Sequence, residues 1–481
     1  MASKNRYAST TAPLKNLENK LLSDYNQILW LEEEFLAMKS GIEWTLFGDR
    51  NTNFFHLSTI CRRHRNRTWC LRDSIENWTH ESQTIKSMIL AHFNTLFTSD
   101  MLYAPLHLPY LINHNSLSND IQLTLNGDVT NLEIKQVIFS FKPYMAPGLD
   151  SFHPIFFQRY WNIVGPSIIS LIKTIFQSKN VSENLNSTLI YLIPKVERPE
   201  TVYQFRPIDL CITLYKTVMT LLVHRLKAFL LDLIHSFQAS FIPGRKASDN
   251  VILTQEIIHT ISTSKSKSDL MALKIDLEKA FDRMEWSFIY HVLCWFKFPK
   301  DWFDLIMSCI TSANLFVLVN GERLDSFSPS RGIRQDDPLS PYLFILYMEY
   351  PAAFIETEKS YGNWTGIKTS REGPIFSHLF FADNLFLFAK ATKTKCLTVK
   401  KVLDDFYSCS SQKVNPSKFK IFFSPYTKIE HIPLIEHELG MHCTNSFGKY
   451  LGVPIITDRR DKRAFYFVID KIRTKLSTWK A

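Results

Sequence analysis

The sequence has little glycine and lacks the glycine-rich motifs that bind nucleotide phosphates. Only 14 of the 481 residues are glycine, and neither a G-x-G-x-x-G segment nor a Walker-type loop occurs. Their absence excludes the two glycine-based devices by which dinucleotide-binding and P-loop folds hold phosphate groups. A nucleotide site in this chain must therefore use another device.

The cysteines do not follow the spacing of a zinc site or of a disulfide framework. The 8 cysteines are scattered, without a C-x-x-C pair, which argues against both structures and fits a reducing compartment. The N-terminus has no apolar segment of a secretory signal, and the longest apolar run, residues 342–355, is interrupted by Glu349. We therefore expect an intracellular protein, nuclear or cytoplasmic, that is not secreted and does not contact a membrane.

The overall composition is typical of a globular protein. Apolar residues make up 45% of the chain and charged residues 21%, which excludes wholesale disorder. The length predicts roughly two to four domains or subdomains. The 56 Lys and Arg residues exceed the 46 Asp and Glu residues, for a net charge of +10. This excess favours a polyanion as the partner, although many basic proteins bind none.

The N-terminal region combines a helical pattern with a basic run. Residues 14–36 predict a helix whose apolar residues fall near coiled-coil spacing, with Asp24 interrupting the seam. A packed helical arm is favoured over a true coiled coil. Farther along, a run of arginines comprises Arg62, Arg63, Arg65 and Arg67. The run could bind nucleic-acid phosphates, and a solvated basic turn is an equally good interpretation.

The rest of the chain predicts a mixture of helices and strands. Between residues 127 and 240 we expect helices and short apolar strands, including a strand over 187–194 and a helix over 214–231. After residue 270 we expect, in chain order, a strand over 272–277, a helix from 278, a hairpin of strands 314–319 and 322–327, a buried helix over 338–354, and two strands within 379–388 with Asp383-Asn384 at their turn.

Two carboxylates stand in unusually apolar surroundings. Asp276 is flanked by Ile275 and Leu277, and Asp383 lies at the tip of the apolar hairpin. A carboxylate is costly to desolvate in such a context unless it is paired. The two residues are more than one hundred positions apart, so only the fold can bring them together. If it does, two Mg²⁺ ions would suit the site, because Mg²⁺ binds few carboxylates plus substrate phosphates. Taken singly, each Asp is more often a helix cap or turn residue.

Ordered motifs over residues 141–455 resemble the reverse-transcriptase domain of plant LINE-type (non-LTR) retrotransposons. In chain order they are APGLD (146–150), LIPK (192–195), FRPI (205–208) with LYK (214–216), SFIPGR (240–245) with DN (249–250), KIDLEKAFD (274–282), SRGIRQ (330–335) with DPLSP (337–341), FADN (381–384), KVNPSK (413–418) and KYLGVP (449–454). The last five groups correspond to palm motifs A to E. Upstream, GDRNTNFFH (48–56) resembles the connector that precedes this domain in the same elements.

The resemblance implies an α+β fold of the right-hand polymerase type. It has fingers, an antiparallel-sheet palm and a truncated helical thumb, with a helical N-terminal extension. We expect the extension and connector at 1–125, the fingers with the start of the palm at 126–270, the palm at 271–455 and the start of the thumb at 456–481. The implied partners are an RNA template, a DNA primer and dNTPs, and the oligomeric state is left open.

The resemblance also assigns roles to individual side chains. Asp276 and Asp383 would bind two Mg²⁺ ions, or Mn²⁺ in their place, with Asn384 beside them. The residues implied to contact the dNTP are Lys195 and Arg206 at the triphosphate, Phe281 under the sugar, where its ring would exclude a 2′-hydroxyl, and Gln335 at the template or nascent pair. Lys418 could position or protonate pyrophosphate, although an exposed surface lysine is the favoured interpretation of this residue alone.

Two departures from the family pattern bear on activity. Asn384 stands where a second Asp is usual, and Asp336 stands where Gly is usual. The first removes a negative charge from the metal site, and the second adds a bulky anion where backbone and nucleic acid approach closely. Both are single transitions of the kind that deamination of methylated cytosine leaves in silenced elements. We therefore expect this copy to be weak or inactive.

Three alternatives remain. A viral RNA-dependent RNA polymerase shares the palm, although Phe281 argues against it because such an enzyme must admit a 2′-hydroxyl. A non-catalytic nucleic-acid-binding remnant would need only the basic surface and would bind in a salt-dependent manner without incorporating nucleotides. The third alternative is an element product that does not fold stably.

Overall fold

The structure, a computed structural model, describes residues 11–40, 52–73, 75–100, 116–264, 269–415, 418–457 and 465–479. Within these ranges the chain is a mixed α+β protein that divides into two compact units. The first unit comprises Met1–Leu90, Tyr191–Pro207 and Val317–Leu324, and the second comprises Ala91–Ile190, Ile208–Phe316 and Asp325–Ala481.

The described residues form α-helices in both units. In chain order the helices are α1 (Thr11–Ser40), α2 (Thr52–Asn66), α3 (Ser82–Phe97), α4 (Asn119–Asn126), α5 (Asn131–Ser140), α6 (Pro154–Arg159), α7 (Trp161–Ser178), α8 (Glu183–Asn186), α9 (Thr213–Lys227), α10 (Leu230–Leu233), α11 (Ala247–Thr263), α12 (Trp286–Trp295), α13 (Lys300–Thr311), α14 (Ser340–Ser360), α15 (Lys393–Ser410), α16 (His431–Leu439) and α17 (Tyr466–Trp479). Among the described residues, none of these helices has both the length and the apolar character needed to cross a bilayer.

The strands of the described residues form five sheets. The strands are β1 (Leu71–Arg72), β2 (Trp78–Thr79), β3 (Ser187–Pro194), β4 (Phe205–Cys211), β5 (Leu270–Asp276), β6 (Asn314–Val319), β7 (Glu322–Phe327), β8 (Ile367–Lys368), β9 (Ile375–Phe376), β10 (His378–Phe381), β11 (Asn384–Lys390), β12 (Lys420–Phe423), β13 (His442–Cys443), β14 (Lys449–Tyr450) and β15 (Val453–Pro454). The largest sheet has the order β10-β11-β5-β12-β13, and a second has the order β4-β3-β6-β7. The other three are the pairs β1-β2, β8-β9 and β14-β15.

The five-stranded sheet separates two layers of the second unit's hydrophobic core. Successive side chains of a strand point to opposite faces, so a strand that is buried on both faces is apolar throughout. In β5, Met271, Leu273 and Ile275 pack into one cluster, whereas Leu270 and Ala272 pack into the other. The first layer includes side chains of α12, α14 and α15, and the second includes isoleucines of α11. Burial on both faces fixes the register of β5, because a one-residue slip would exchange the two sets.

The first unit begins with the predicted N-terminal helix. The prediction of a helix over 14–36 is confirmed by α1, which packs along α2. The helical arm expected here packs against α2 without burying its apolar seam. Leu14, Leu21 and Ile28 are 62%, 59% and 62% exposed, so this seam is not buried within the described residues.

Most of the predicted elements of the second half are confirmed, and two are corrected. The strand pair around Asn320-Gly321 forms β6 and β7, and the buried helix forms α14. The helix expected from residue 278 begins only at Trp286, because the backbone of the preceding turn is engaged elsewhere: Ile333 N–H donates to Phe281 C=O at 3.0 Å. In the hairpin β10–β11, Phe381 pairs with Asn384. The turn residues are therefore 382 and 383, one position earlier than expected.

Candidate active site

The two acidic residues singled out from the sequence lie at the same end of neighbouring strands. Asp276 is the last residue of β5, and it pairs directly with Asn384, the first residue of β11. The next backbone contact continues this pairing, since Leu277 N–H donates to Asp383 C=O at 3.1 Å. Directly opposed residues of an antiparallel pair have Cα atoms about 4.5–5.5 Å apart. Strand register therefore brings Asp276 and Asp383 together across more than one hundred positions of sequence.

A buried glutamine supports the turn that carries Asp383. Ala382 adopts a left-handed conformation with a φ of 50°, and its N–H donates to Gln238 Oε1 at 3.4 Å. The same oxygen accepts from Ser240 N–H at 3.0 Å, and Gln238 is 1% exposed. Sequence analysis missed Gln238, because it stands just before the SFIPGR motif and no local pattern marks it.

The electrostatic environment of the two carboxylates differs. Burial raises the pKa of Asp383 above its ordinary value, and the nearby charge of Asp276 raises it further. Lys418 Nζ forms an ion pair with Asp276 Oδ1 at 2.9 Å. The Asn384 amide donates to Asp383 Oδ1 at 3.1 Å. Asp276 is therefore paired directly with a cation, whereas the Asn384 amide gives Asp383 a neutral donor.

These residues fit a divalent-cation site that is completed by substrate. Among the described residues, no group of three or more His, Cys, Asp or Glu side chains surrounds a common point. Mg²⁺ is nevertheless bound in many enzymes by one or two carboxylates, with water and substrate phosphates supplying the other oxygens. The ammonium of Lys418 already pairs with one oxygen of Asp276, and burial, followed by the charge of Asp276, raises the pKa of Asp383.

Phe281 lies in the turn after β5 and not on a helix. Its ring stacks on Phe344 of α14, with centroids 4.7 Å apart and planes at 15°. The side chain remains partly exposed. One face of the ring is therefore fixed by the core, in the same turn region that follows Asp276.

Gln335 is held by two acidic residues. Its N–H donates to Asp209 Oδ2 at 2.6 Å, and its side-chain amide donates to Asp282 Oδ1 at 2.9 Å. In this structure the amide is thus hydrogen-bonded to protein, and the residue is partly exposed. Asp209 was missed by sequence analysis. Burial, followed by the charge of Asp282, raises its pKa to about 8.

A buried arginine next to Gln335 was also missed. Arg334 is 6% exposed, and its guanidinium stacks over the ring of Tyr215 at 4.1 Å. It also donates to the Tyr215 hydroxyl, to Thr188 Oγ1 at 3.0 Å and to Cys309 C=O at 2.7 Å. Asp337 lies 3.8 Å away as the acidic partner. A buried arginine requires such a set of acceptors, which come from elements far apart in sequence.

The backbone conformation of Asp336 explains why glycine is favoured at this position. Its φ is 74°, a left-handed conformation that L-residues other than Asn and Asp seldom adopt. The side chain is exposed. The preference for glycine here therefore has a backbone cause in addition to any close approach of nucleic acid.

The remaining predicted residues lie in the first unit. Lys195, directly after β3, and Arg206 on β4 are both exposed, and Lys195 N–H donates to Gln204 C=O at 2.8 Å. Three of the four arginines lie in the last turns of α2, where they complement the negative end of the helix dipole. The fourth, Arg67, stacks over Trp69 at 4.2 Å. Of the connector motif 48–56, residues 48–51 lie outside the described residues.

Comparison with known proteins identifies relatives among mobile elements. The chain is 23% identical to the transposon TX1 uncharacterized 149 kDa protein of Xenopus laevis, over 90% of this chain and 32% of that protein. It is 25% identical to the retrovirus-related Pol polyprotein from the type-2 retrotransposable element R2DM of Drosophila melanogaster, over 57% of this chain and 24% of that protein. The chain thus spans about a third or less of the length of these relatives, and both are animal proteins, so a plant origin is not shown.

A family profile covers the residues that carry the carboxylates. The profile of reverse transcriptase (RNA-dependent DNA polymerase) matches residues 193–455, which is more than half of the chain. The matched range includes both acidic residues, Phe281, Gln335 and Lys418. The chain belongs to the reverse transcriptase (RNA-dependent DNA polymerase) family.

Proposed function

We propose that this chain is the RNA-directed DNA polymerase domain of a non-LTR retroelement of the plant LINE type. It would extend a DNA primer with dNTPs on an RNA template. The observation that carries the proposal is the pairing of β5 with β11, which brings Asp276 and Asp383 to one end of the sheet inside the family-matched range. The printed names of the relatives, a transposon protein and a retrotransposable-element Pol polyprotein, support the same origin.

The carboxylates of Asp276 and Asp383 would hold Mg²⁺ or Mn²⁺. Such ions, when bound, lower the pKa of an attacking 3′-hydroxyl and stabilise the leaving pyrophosphate. Phe281 would limit the space at the sugar, because stacking on Phe344 keeps its ring from swinging aside. Lys195 and Arg206 would supply cationic contacts to the triphosphate in place of a glycine loop.

We propose a right-hand architecture for the domain. The palm would be the five-stranded sheet with its helices, within residues 271–455. The fingers would lie in 126–270, and α17 would be the first helix of the thumb. The antiparallel pairing of β10, β11, β5 and β12 supports the assignment of the palm.

We propose that polymerisation by this copy is weak. Asn384 supplies an amide where a carboxylate is usual, and that amide donates to Asp383 Oδ1. An amide oxygen can ligate a cation, but it adds no negative charge to a site that must neutralise two divalent ions. Asp336 adds a further exposed carboxylate next to Gln335.

A primer-extension assay tests the proposal. The substrate is poly-rA annealed to oligo-dT, supplied with dTTP and either Mg²⁺ or Mn²⁺. We expect slow, metal-dependent incorporation that disappears in Asp276→Ala and persists in Asp404→Ala, which removes an exposed carboxylate of α15. Incorporation that survives Asp276→Ala would contradict the assignment of this site.

A second candidate is a nucleic-acid-binding remnant without polymerase activity. It is favoured by the occupied state of the carboxylates, since Lys418 and Asn384 already donate to them. Exposed arginines at the end of α2 would supply phosphate contacts. Binding that weakens steeply with salt, with no incorporation in either metal, would support this candidate over the first.

A further inference from the structure

The ion pair between Lys418 and Asp276 has two unequal partners. The Lys418 side chain is 58% exposed, whereas that of Asp276 is 13% exposed. The lysine can therefore leave the pair and be hydrated, whereas the carboxylate stays where β5 ends. An ion pair with one well-exposed partner is weakened by solvent, so a divalent cation can displace it.

The lysine is placed at this site by the backbone. Asn415 N–H donates to the carbonyl of Asp276 at 2.9 Å, and Lys418 N–H donates to the carbonyl of Asn415 at 3.1 Å. Lys274, two residues before Asp276, is engaged elsewhere, because its Nζ donates to the carbonyl of Lys449 at 2.7 Å. In the described part of the chain, no other cation forms an ion pair with Asp276 or Asp383.

We propose that Lys418 is the resident counter-ion of the metal-free site, and that a divalent cation must displace its ammonium from Asp276 in order to bind. This inference rests on the proposed function. It gives Lys418 a role before catalysis that is distinct from any contact with pyrophosphate. Removing the ammonium should therefore tighten metal binding, because one competitor and one repelling positive charge disappear together.

The test measures Mn²⁺ binding to the full chain by electron paramagnetic resonance, at constant pH and physiological salt, without nucleic acid. For Lys418→Gln we expect the dissociation constant to fall about tenfold relative to wild type. The matched control is Lys395→Gln, which removes the same charge from a lysine whose Nζ donates to Gly362 C=O at 2.6 Å. We expect the control to change the dissociation constant less than about twofold, because such a charge is screened by salt.

A second readout is thermal melting with and without Mn²⁺. A cation that binds only the folded state raises the melting temperature according to its affinity, so Mn²⁺ should stabilise Lys418→Gln more than wild type. In chelator, Lys418→Gln should melt below wild type, since the two carboxylates lose their counter-ion.

The outcomes separate this inference from the proposed function. If Mn²⁺ binds wild type, is lost in Asp276→Asn and binds Lys418→Gln with unchanged or weaker affinity, only the displacement proposal is overturned. If neither wild type nor Lys418→Gln binds Mn²⁺ at these carboxylates, both the displacement proposal and the metal site of the proposed function are overturned.

Discussion

Two regions of the second unit carry residues of the candidate site, and they are built in different ways. The carboxylate end is formed by backbone pairing: Asp276 is opposite Asn384, and Leu277 N–H donates to Asp383 C=O. The motif B segment, residues 330–341, is instead held by side chains. Arg334 contacts groups on β3, α9 and α13, and Gln335 is held by Asp209 and Asp282.

This difference indicates which residues of the site can be substituted without loss of folding. At the carboxylate end, substitutions of Asn384 or Lys418 alter the charge and leave the strand register intact, because the register is fixed by apolar side chains on both faces of β5. In the motif B segment, each buried polar group depends on a partner elsewhere, so one substitution leaves several groups unsatisfied. We therefore expect changes at the carboxylate end to affect metal binding and activity, and changes in the motif B segment to affect folding.

The strongest test of this contrast is Arg334→Met. We expect it to lower the free energy of unfolding by about 3–5 kcal/mol, because Asp337 and several acceptors lose a buried cation. Urea denaturation measures the loss. The matched control, Arg371→Met, removes an exposed arginine and should change stability by less than about 0.5 kcal/mol. Equal stability of the two variants would contradict the contrast.

The sequence could predict the strands of the carboxylate end but not the side-chain contacts that hold the motif B segment. The mostly apolar residues around Asp276 and the apolar hairpin that carries Asp383 are local signals, so β5 and β11 were expected within a few residues. The turn after Asp276 was mistaken for a helix, because its backbone pairs with Gly332 and Ile333 some fifty positions away.

Contacts between residues far apart in sequence also explain why other residues of the site were missed. Gly332 has a φ of 86°, and a Cβ there would lie 2.7 Å from Asp282 C=O. Arg334 and Gln238 likewise depend on partners from other elements. No pattern within a short window of sequence indicates such long-range contacts.

At the carboxylate end, Asn384→Asp should raise primer extension at least about tenfold, with little change in stability. The substitution adds a negative charge where divalent cations must be neutralised, and it removes the amide that donates to Asp383 Oδ1. Single-turnover extension on poly-rA/oligo-dT measures the rate. The double variant Asn384→Asp/Asp276→Ala should remain inactive. A rate unchanged by Asn384→Asp would mean that this amide is not the main lesion.

Asp209→Asn should remove part of the pH dependence of stability. The pKa of Asp209 is raised from 3.8 to about 8, so the folded protein holds a proton that the unfolded chain releases over this range. Stability from this group is therefore fully present below pH 3.8 and is lost as the pH rises through 8. Between pH 6 and pH 8, wild type should lose roughly 2 kcal/mol more stability than Asp209→Asn.

Urea midpoints at the two pH values provide the measurement. Glu349, whose pKa burial also raises to about 8, titrates in both proteins, so the difference between them isolates Asp209. The asparagine can still accept the hydrogen bond from Gln335 N–H. Parallel pH profiles of wild type and variant would show that Asp209 does not retain its proton in the folded state.

The smallest expected effect is at Asp336, where a substitution tests whether a positive φ strains the backbone of the motif B segment. Asp336→Gly should raise the free energy of unfolding by up to about 1 kcal/mol, because glycine adopts a φ of 74° without strain. It also removes a charge that contributes to the raised pKa of Asp209.

The matched control is Ser411→Gly, which relieves a φ of 53° after α15 without changing the charge. A gain for Asp336→Gly that exceeds the control at pH 8 and equals it at pH 6 would assign the excess to charge repulsion. A net loss of stability would mean that the aspartate makes favourable contacts that outweigh its strained backbone.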